Sequence, residues 1–272
     1  IETFRRRVPQ RCLGRRKEVH SMGGITTDLR TGLAFCTRLP MRAPDDTPLS
    51  RAAWTLPIAG LAVGLIGGLV LYLALGFGVP PFSAATLAVA ATALTTGCLH
   101  EDGLADTADG FGGGREPERV REILRDSRIG TYGVIALIIS FLLRIGALAS
   151  LAAVGAGPAV FALVAAHVGG RAALPVMMRV VPRAREDGLS ATAGRPSAGV
   201  TAGALAIGLV VAVACLGLGA TLTATALGTV CLIVLARMAI RKIGGQTGDV
   251  LGAAEQVTEI LILLTAAALL SG

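Results

Sequence analysis

The chain has 272 residues, of which 53% are hydrophobic, 16% charged and 4% aromatic, and its mean hydropathy is +0.69. Because soluble domains average about 25% charged residues, this composition excludes an ordinary water-soluble domain, and the apolar content excludes a disordered chain. The net charge is +7, and five scattered cysteines exclude a soluble disulfide scaffold. The composition predicts an all-α, polytopic membrane bundle.

The amino-terminal segment is strongly basic. Ten arginine and lysine residues lie before residue 43, against Glu2, Glu18 and Asp28, which is typical of a segment on the cytoplasmic side of a membrane. No apolar core follows the early arginines closely enough for a secretory signal peptide. We expect residues 1–21 to be a leader that is not native, with Met22 as the initiator, and residues 22–272 to form a single transmembrane domain.

Charge-free stretches predict the membrane spans, since a span needs about 20 apolar residues. No Asp, Glu, Lys or Arg lies between Arg51 and Glu101, and a Gly/Pro turn at 76–81 divides this stretch into two spans. Further apolar runs follow, each bounded by a glycine-rich turn or a polar loop. About six to seven helices are predicted, near residues 54–76, 82–100, 131–153, 158–181, 198–217, 220–240 and 259–271.

The charged loops all follow an even number of predicted spans. Loops 101–128, 182–197 and 241–258 therefore share one side of the membrane with the basic leader, which assigns that side to the cytoplasm. Polar chemistry on one face is typical of a membrane-embedded enzyme, whereas a transporter more often has ionisable groups at mid-membrane. Inside the apolar runs, we expect Arg144 to snorkel or pair internally and His167 to pack within its helix rather than bind a ligand.

An acidic stripe follows the second predicted span. Asp102, Asp106 and Asp109 have i, i+4, i+7 spacing, which places their side chains on one narrow face of a helix. Like charges at this spacing repel one another, so a hard divalent cation with oxygen ligands is expected to offset them. Mg²⁺ fits best, because it keeps few protein ligands and completes its shell with phosphate oxygens and water. The alternative is a solvated acidic face.

A glycine run ends the acidic helix. Residues 112–114 are three glycines followed by Arg115, and they can form either an anion-binding nest or a plain helix C-cap. An amphipathic surface helix is predicted next, at residues 118–128. Asp126 and Arg128, at its end, are the candidate substrate-binding residues of this segment.

A second polar cluster, residues 241–253, has a composition suited to phosphate. It combines basic residues, glycines, one aspartate and the start of another helix. Lys242 can contact phosphate, Thr247 can cap the following helix, whose amino end favours an anion, and Asp249 can add a metal ligand. A simple loop is the alternative.

The segment from His100 to Gly110, with the sequence HEDGLADTADG, resembles the signature of the cobalamin synthase family, the adenosylcobinamide-GDP ribazoletransferases. The resemblance extends to residues 126–133, 244–253 and 35–40, and it covers about residues 24–270. Glu101 departs from the pattern, because the family often has an apolar residue there, so we do not expect Glu101 to be essential.

The resemblance implies a Mg²⁺-dependent transferase of the cytoplasmic membrane, with its active face towards the cytoplasm and residues 22–272 as the catalytic domain. Its substrates would be a corrinoid nucleotide and α-ribazole. The 3′-hydroxyl of α-ribazole, or of its 5′-phosphate, would attack the phosphorus linked to cobinamide, and GMP would leave. The implied partners include no nucleic acid; a homo-oligomer, or association with other corrinoid-pathway enzymes, is left open.

The site residues can be assigned roles in this reaction. Mg²⁺ would be held by the three aspartates of the stripe, with Asp249 as a further ligand, and would neutralise charge on the leaving oxygen. Arg115, Arg128 or Lys242 would clamp the remaining phosphate oxygens. The base would be one of the aspartates or His100, although an ideal helix places His100 about 160° from the stripe.

Two other functions are considered. A CDP-alcohol phosphotransferase is also polytopic and rich in aspartate, and residues 106–110 match the first five positions of its pattern. However, Gly113 and Gly114 stand where that pattern has Ala-Arg, and its later aspartate pair is missing. A cation transporter would need acidic groups in both halves of the bundle near mid-membrane, and the acidic stripe is one-sided.

Overall fold

The computed structural model describes residues 24–42, 44, 47–184 and 193–270, so the predictions for the leader and for Met22 lie outside the described residues. Over these ranges the chain is helical and has no β-strand, only an isolated bridge between Arg183 and Gln246. In chain order the helices are α1 (Ile25–Cys36), α2 (Leu49–Ala52), α3 (Leu56–Gly76, joined to α2 by the 3-10 turn Ala53–Thr55), α4 (Pro81–Thr96), α5 (Leu99–Gly113), α6 (Pro117–Ile123), α7 (Thr131–Val154), α8 (Ala156–Val180), α9 (Ala198–Ile243) and α10 (Gly248–Leu270).

Within the described ranges, five helical segments are long and apolar enough to cross a membrane. They are the segment formed by α2 and α3, then α7, α8, α9 and α10. The number becomes six if α4 and α5, which meet at 90°, are taken as one broken span. The predicted all-α, multi-pass membrane bundle is therefore confirmed.

Helix α8 lies at the centre of the bundle, where it packs against α3, α9 and α10. Gly60 and Gly64 lie on the face of α3 that meets α8, and a Cβ on Gly64 would lie 2.8 Å from the Cα of Val164. Two small residues four positions apart let helix backbones approach closely, which is a common way for helices to associate in lipid. The buried core beside this contact consists largely of alanine and leucine.

Helices α7 and α9 present apolar side chains outward. Ile138 and Leu142 on α7 and Val210 and Val230 on α9 are each more than half exposed. Continuous exposed apolar faces of this extent are not typical of a water-soluble monomer, and they suit contact with lipid.

Helix α9 is a hairpin rather than one straight helix. Its 46 residues would extend about 69 Å, more than twice the hydrocarbon thickness of a bilayer. Both ends of α9 lie beside the carboxyl end of α8. Before α9 begins, the carbonyl of Pro196 accepts a hydrogen bond from Arg179 Nη1 (3.0 Å), and after α9 ends, the backbone N–H of Gln246 donates to the carbonyl of Pro182 (2.8 Å). The chain reverses at Gly217, where φ is 77° and ψ is 168°, which confirms the break predicted near residues 217–219.

The prediction of one continuous helix at 82–100 is wrong. Helix α4 ends at Thr96, and the left-handed residues Gly97 (φ 67°) and Cys98 (φ 60°) turn the chain by 90° into α5. A left-handed glycine is the usual way to end a helix, because it has no Cβ to clash. The absence of charge up to residue 100 concealed this bend.

The prediction of a polar loop at 241–258 followed by a short apolar run at 259–271 is also wrong. Helix α10 begins at Gly248 and continues to Leu270. Glu255 belonged to the predicted loop and Glu259 to the start of the predicted apolar run, yet both are buried inside the bundle. Carboxylates are tolerated there only with partners of opposite charge, and in this fold the partners come from other helices.

The predicted surface helix at 118–128 is shorter in the structure. Helix α6 spans Pro117–Ile123, and the chain from residue 124 to residue 130 is not helical. Val120 and Leu124 are buried against Phe111 of α5, while the charged residues of α6 face outward. The helix is therefore packed on the end of α5.

Candidate active site

Helix α5 carries the acidic stripe and lies across the start of α10. Asp102 is exposed, Asp106 is half-buried and Asp109 is buried. The two helices are in close contact at Gly103, where a Cβ would lie 2.8 Å from the carbonyl oxygen of Asp249 and 3.1 Å from the Cα of Gly252. Small residues at this crossing therefore bring Asp249 to the acidic stripe, although the two segments are far apart in sequence.

The aspartate cluster, defined as Asp102, Asp106, Asp109 and Asp249, brings four acidic side chains together. The carboxylates of Asp102, Asp249 and Asp109 all lie near enough to act on Asp106 by like-charge repulsion. No described lysine, arginine or histidine forms an ion pair with Asp102 or Asp106. Carboxylate oxygens such as those of Asp102 and Asp106, which have no ion-pair partner among the described residues, are the ligands that a hard divalent cation requires, so the cluster fits Mg²⁺.

Asp109 also holds two helices together. Its Oδ2 accepts a hydrogen bond from the amide of Gly130 (2.7 Å), and its Oδ1 accepts one from the amide of Gly133 (2.8 Å). These amides begin α7, and a carboxylate is stabilised at a helix amino terminus by the free N–H groups and the helix dipole. Asp109 therefore anchors the end of α5 to the start of α7, a role that spacing alone did not reveal.

The two predicted phosphate segments lie side by side. Lys242 Nζ donates to the carbonyl of Gly114 (3.1 Å), and Arg121 Nη2 donates to the carbonyl of Ile243 (3.3 Å). These bonds join the glycine run after α5 to the end of α9. Arg115 is exposed beside this junction.

Asp126 and Arg128 pair with each other at the surface. Arg128 Nη2 lies 2.7 Å from Asp126 Oδ2, and the Arg128 amide donates to Asp126 Oδ1 (3.1 Å). These side-chain and backbone hydrogen bonds lower the pKa of Asp126 to about 2. The Arg128 side chain is 87% exposed, so the structure brings these two predicted residues to each other and not into the aspartate cluster.

Thr247 caps α10. Its Oγ1 accepts a hydrogen bond from the Val250 amide (3.3 Å) and donates one to Asp249 Oδ2 (3.2 Å). The cap that the sequence suggested is present, and it also orients the carboxylate of Asp249.

A buried network of charged residues lies inside the bundle, beneath the aspartate cluster. Arg144 Nη1 of α7 donates to Glu101 Oε1 and to Glu259 Oε1, both at 3.1 Å. His167 Nδ1 of α8 lies 3.0 Å from Glu259 Oε2. Arg144 therefore pairs internally, which is one of the two outcomes expected for it. Glu101 is its partner, although nothing in the sequence suggested a structural role for Glu101.

A second part of the network joins α8 to α10 and α5. Arg171 Nη1 donates to Glu255 Oε1 (2.7 Å), and Arg171 Nη2 lies 3.4 Å from His100 Nδ1. Sequence reasoning missed Arg171, Glu255 and Glu259. The available signal was that ionisable residues inside apolar helices rarely occur without partners or a functional role.

His167, Glu255 and Glu259 are the one group of three in the described part of the chain whose potential metal-ligating atoms all lie within 4.8 Å of one another. Arg144 and Arg171 already bind these carboxylates. Because the protein supplies the compensating charge itself, this group is suited to holding helices together rather than to binding an ion.

A cavity of about 310 Å³ opens beside the aspartate cluster. His100, Asp102, Thr247 and Asp249 line it on one side. Apolar side chains from α1, α2, α3 and α8 line the other side. Although the helix geometry places His100 and Asp102 in different directions, both reach this cavity.

A family profile described as Cobalamin-5-phosphate synthase matches residues 28–267. The chain belongs to this family. Because the profile spans the bundle from α1 to α10, family membership applies to the whole of the described fold and to the aspartate cluster within it.

The similarity to curated relatives extends over nearly the full length of both this chain and each relative. A protein of Bradyrhizobium diazoefficiens named adenosylcobinamide-GDP ribazoletransferase is 53% identical over 251 residues, which are 91% of this chain and 96% of the relative. Proteins with the same name are 45% identical in Mesorhizobium japonicum (91% of this chain, 95% of the relative) and in Azorhizobium caulinodans (88% and 95%). No solved structure matches the chain.

Proposed function

We propose that this chain is an adenosylcobinamide-GDP ribazoletransferase, the name carried by its curated relatives. The structural observation that supports this activity is the aspartate cluster, in which α5 and α10 bring four carboxylates together and neither Asp102 nor Asp106 forms an ion pair with a described residue. A site of this kind suits transfer at a diphosphate, whose oxygens share the coordination of a divalent ion.

The reaction joins adenosylcobinamide-GDP to α-ribazole or to its 5′-phosphate. The 3′-hydroxyl oxygen of the ribazole forms a bond to the phosphorus that is attached to cobinamide, and the bond from that phosphorus to the GMP oxygen breaks. GMP leaves with the electron pair, and the hydroxyl proton passes to a base. The products are adenosylcobalamin, or its 5′-phosphate, and GMP.

We assign Asp102, Asp106 and Asp249 to hold Mg²⁺. The hydrogen bonds that anchor α5 to the amides of α7 come from Asp109 and not from these three residues. Asp109 is a further candidate ligand, although each of its oxygens already accepts a backbone hydrogen bond. Bound Mg²⁺ would supply positive charge to the diphosphate oxygens.

Groups beside the aspartate cluster are assigned to binding and proton transfer. Lys242 and Arg115 lie where α5 ends and are assigned to the phosphate oxygens. Thr247 keeps the amino end of α10 ordered next to Asp249. His100 and the aspartates that line the cavity are the groups available to accept the hydroxyl proton. Asp126 and Arg128 are assigned a secondary role, because they bind each other at the surface.

The site is assigned to the cytoplasmic face of the inner membrane. The basic residues of the amino-terminal segment favour that face by the positive-inside rule. Both ends of α9, the start of α10 and the carboxyl end of α8 lie together near the aspartate cluster. Water-soluble nucleotide substrates would therefore reach the site from the cytoplasm.

Product analysis with purified protein tests this function. The protein is incubated with GDP-cobinamide, α-ribazole and Mg²⁺, and the products are separated and identified by mass. The proposal predicts a cobalamin and an equal amount of GMP. Transfer from a CDP-activated alcohol in place of this reaction, or ion flux into proteoliposomes without nucleotide turnover, would contradict it.

A further inference from the structure

The cavity beside the aspartate cluster has two chemically different walls. Its polar wall contains His100, Asp102, Thr247 and Asp249. Its apolar wall is formed by side chains from four helices, namely Phe35, Leu49, Leu56, Leu174 and Met178. A ligand that fills it should have one apolar part and one part with hydroxyl groups.

The size of the cavity distinguishes between the two proposed substrates. Its volume is about 310 Å³, the lower end of the range of about 300–1,000 Å³ that small-molecule sites occupy. A corrinoid macrocycle with an attached nucleotide is far larger than such a site. A nucleoside, which consists of one aromatic base on one ribose, is of suitable size.

The polar wall contains an unpartnered group. His100 is 3% exposed, and its Nε2 has no hydrogen-bond partner among the residues that the structure describes. A buried polar atom without a partner costs free energy, so a rotation of the imidazole towards a ligand hydroxyl in the cavity would be favourable. Thr247 and Asp249, which are hydrogen-bonded to each other, place further polar atoms on the same wall.

We infer that this cavity is the binding site for the nucleoside substrate, with its aromatic base against the apolar wall and its ribose hydroxyls towards His100 and Asp249. This inference rests on the proposed function and assigns one of its two substrates to a place. Because Asp102 belongs both to the cavity and to the aspartate cluster, a ribose bound here lies next to the diphosphate site. The corrinoid would then remain outside the cavity, at the open side of the cluster.

Two adjacent methionines of α8 provide a matched test. Met178 lines this cavity, whereas Met177 lines a separate apolar groove between α8 and α9. Both side chains are almost fully buried. Met178→Trp should fill the cavity and raise KM for α-ribazole about tenfold or more, with KM for GDP-cobinamide unchanged. Met177→Trp should leave both KM values close to those of the unmodified protein.

Binding measurements make the test independent of turnover. Calorimetric titration with α-ribazole alone should show binding to the unmodified full chain and to Met177→Trp, and weaker binding to Met178→Trp. Met178→Ala, which cannot block the cavity, serves if the tryptophan variant fails to fold, and it should also weaken binding because it removes apolar contact. Free benzimidazole, a probe for the base, should compete with α-ribazole and not with GDP-cobinamide.

The inference is overturned if the two tryptophan variants change KM for α-ribazole equally, or if Met178→Trp raises KM for GDP-cobinamide instead. Either result can occur while the unmodified protein still makes cobalamin, so it would leave the proposed function intact. Absence of any cobalamin from the unmodified protein would contradict the proposed function instead, and the titration would then still test the cavity.

Discussion

Arg144 of α7 and Glu101 of α5 form an ion pair of 3.1 Å inside the bundle, and both side chains are buried. The same guanidinium nitrogen lies 3.1 Å from Glu259 of α10. Because Glu101 is next to Asp102 in sequence, its ion pair with Arg144 fixes the first turn of α5 to α7. Asp109 fixes the later part of α5 to the start of α7. The acidic stripe is thereby held at both ends.

Replacement of Arg144 tests this anchoring. Arg144→Met should lower the free energy of unfolding by about 3–5 kcal/mol, because it leaves two buried carboxylates without their positive partner. Thermal unfolding of the purified protein in detergent measures the effect. The control is Arg119→Met, which removes an exposed pair with Glu122 and should change stability by less than about 0.5 kcal/mol. Equal changes in the two variants would show that the buried pair does not hold the bundle together.

Replacement of Asp106 tests the chemistry of the aspartate cluster. Asp106→Asn should reduce turnover by about 100-fold or more, since it removes the charge of a carboxylate that we assign to hold Mg²⁺. Stability without Mg²⁺ should be unchanged or raised, because the substitution relieves repulsion from the neighbouring aspartates. Steady-state turnover and thermal unfolding are measured on the same preparation. Near-normal turnover of the variant at saturating Mg²⁺ would contradict the assignment of Asp106 to the active site.

Asp109 should respond differently from Asp106. Asp109→Asn keeps one acceptor oxygen and loses the other, so one of the two amides at the start of α7 is left without its partner. We expect stability without Mg²⁺ to fall by about 1–3 kcal/mol. Unfolding curves of the Asp106→Asn and Asp109→Asn variants, recorded side by side, separate the anchoring role from the charge. The anchoring role fails if both curves coincide with that of the unmodified protein.

Two glycines of α7 provide a steric version of the same test. A Cβ on Gly133 would collide with the carboxylate of Asp109, whereas a Cβ on Gly146 would meet nothing within 4 Å. Gly133→Ala should therefore cost about 1–3 kcal/mol of stability and reduce turnover. Gly146→Ala should be neutral, or stabilising by up to about 1 kcal/mol, because alanine favours a helix more than glycine does. If Gly133→Ala proved as stable and as active as Gly146→Ala, the position of the Asp109 carboxylate would matter neither for stability nor for turnover.

The sequence predicted the membrane architecture well because lipid imposes a simple constraint. Charge-free stretches had to be spans, and the hairpin at Gly217 and the cap at Thr247 followed from local rules about glycine and threonine. The acidic stripe also predicted correctly that its aspartates share one helix.

The features that the sequence did not predict depend on partners from distant parts of the chain. Glu255 was assigned to a loop because nothing local indicates that Arg171 would neutralise it inside the bundle. Glu259 was placed at the start of the last span, where nothing local indicates its ion pair with Arg144. The left-handed bend at Gly97 was concealed for a different reason. Hydropathy measures composition and carries no information about backbone direction, so a charge-free bend has the same signal as a straight span.

Thermal unfolding with and without Mg²⁺ tests the central claim, that the aspartate cluster binds the ion, most directly. At a concentration 100 times its dissociation constant, Mg²⁺ should stabilise the unmodified protein by about 2.7 kcal/mol. This corresponds to an increase in Tm of about 5–10 °C. The double variant Asp102→Asn with Asp106→Asn should lose this shift, while Glu122→Gln, an exposed control, should keep it. The claim is contradicted if the double variant is stabilised as strongly as the unmodified protein.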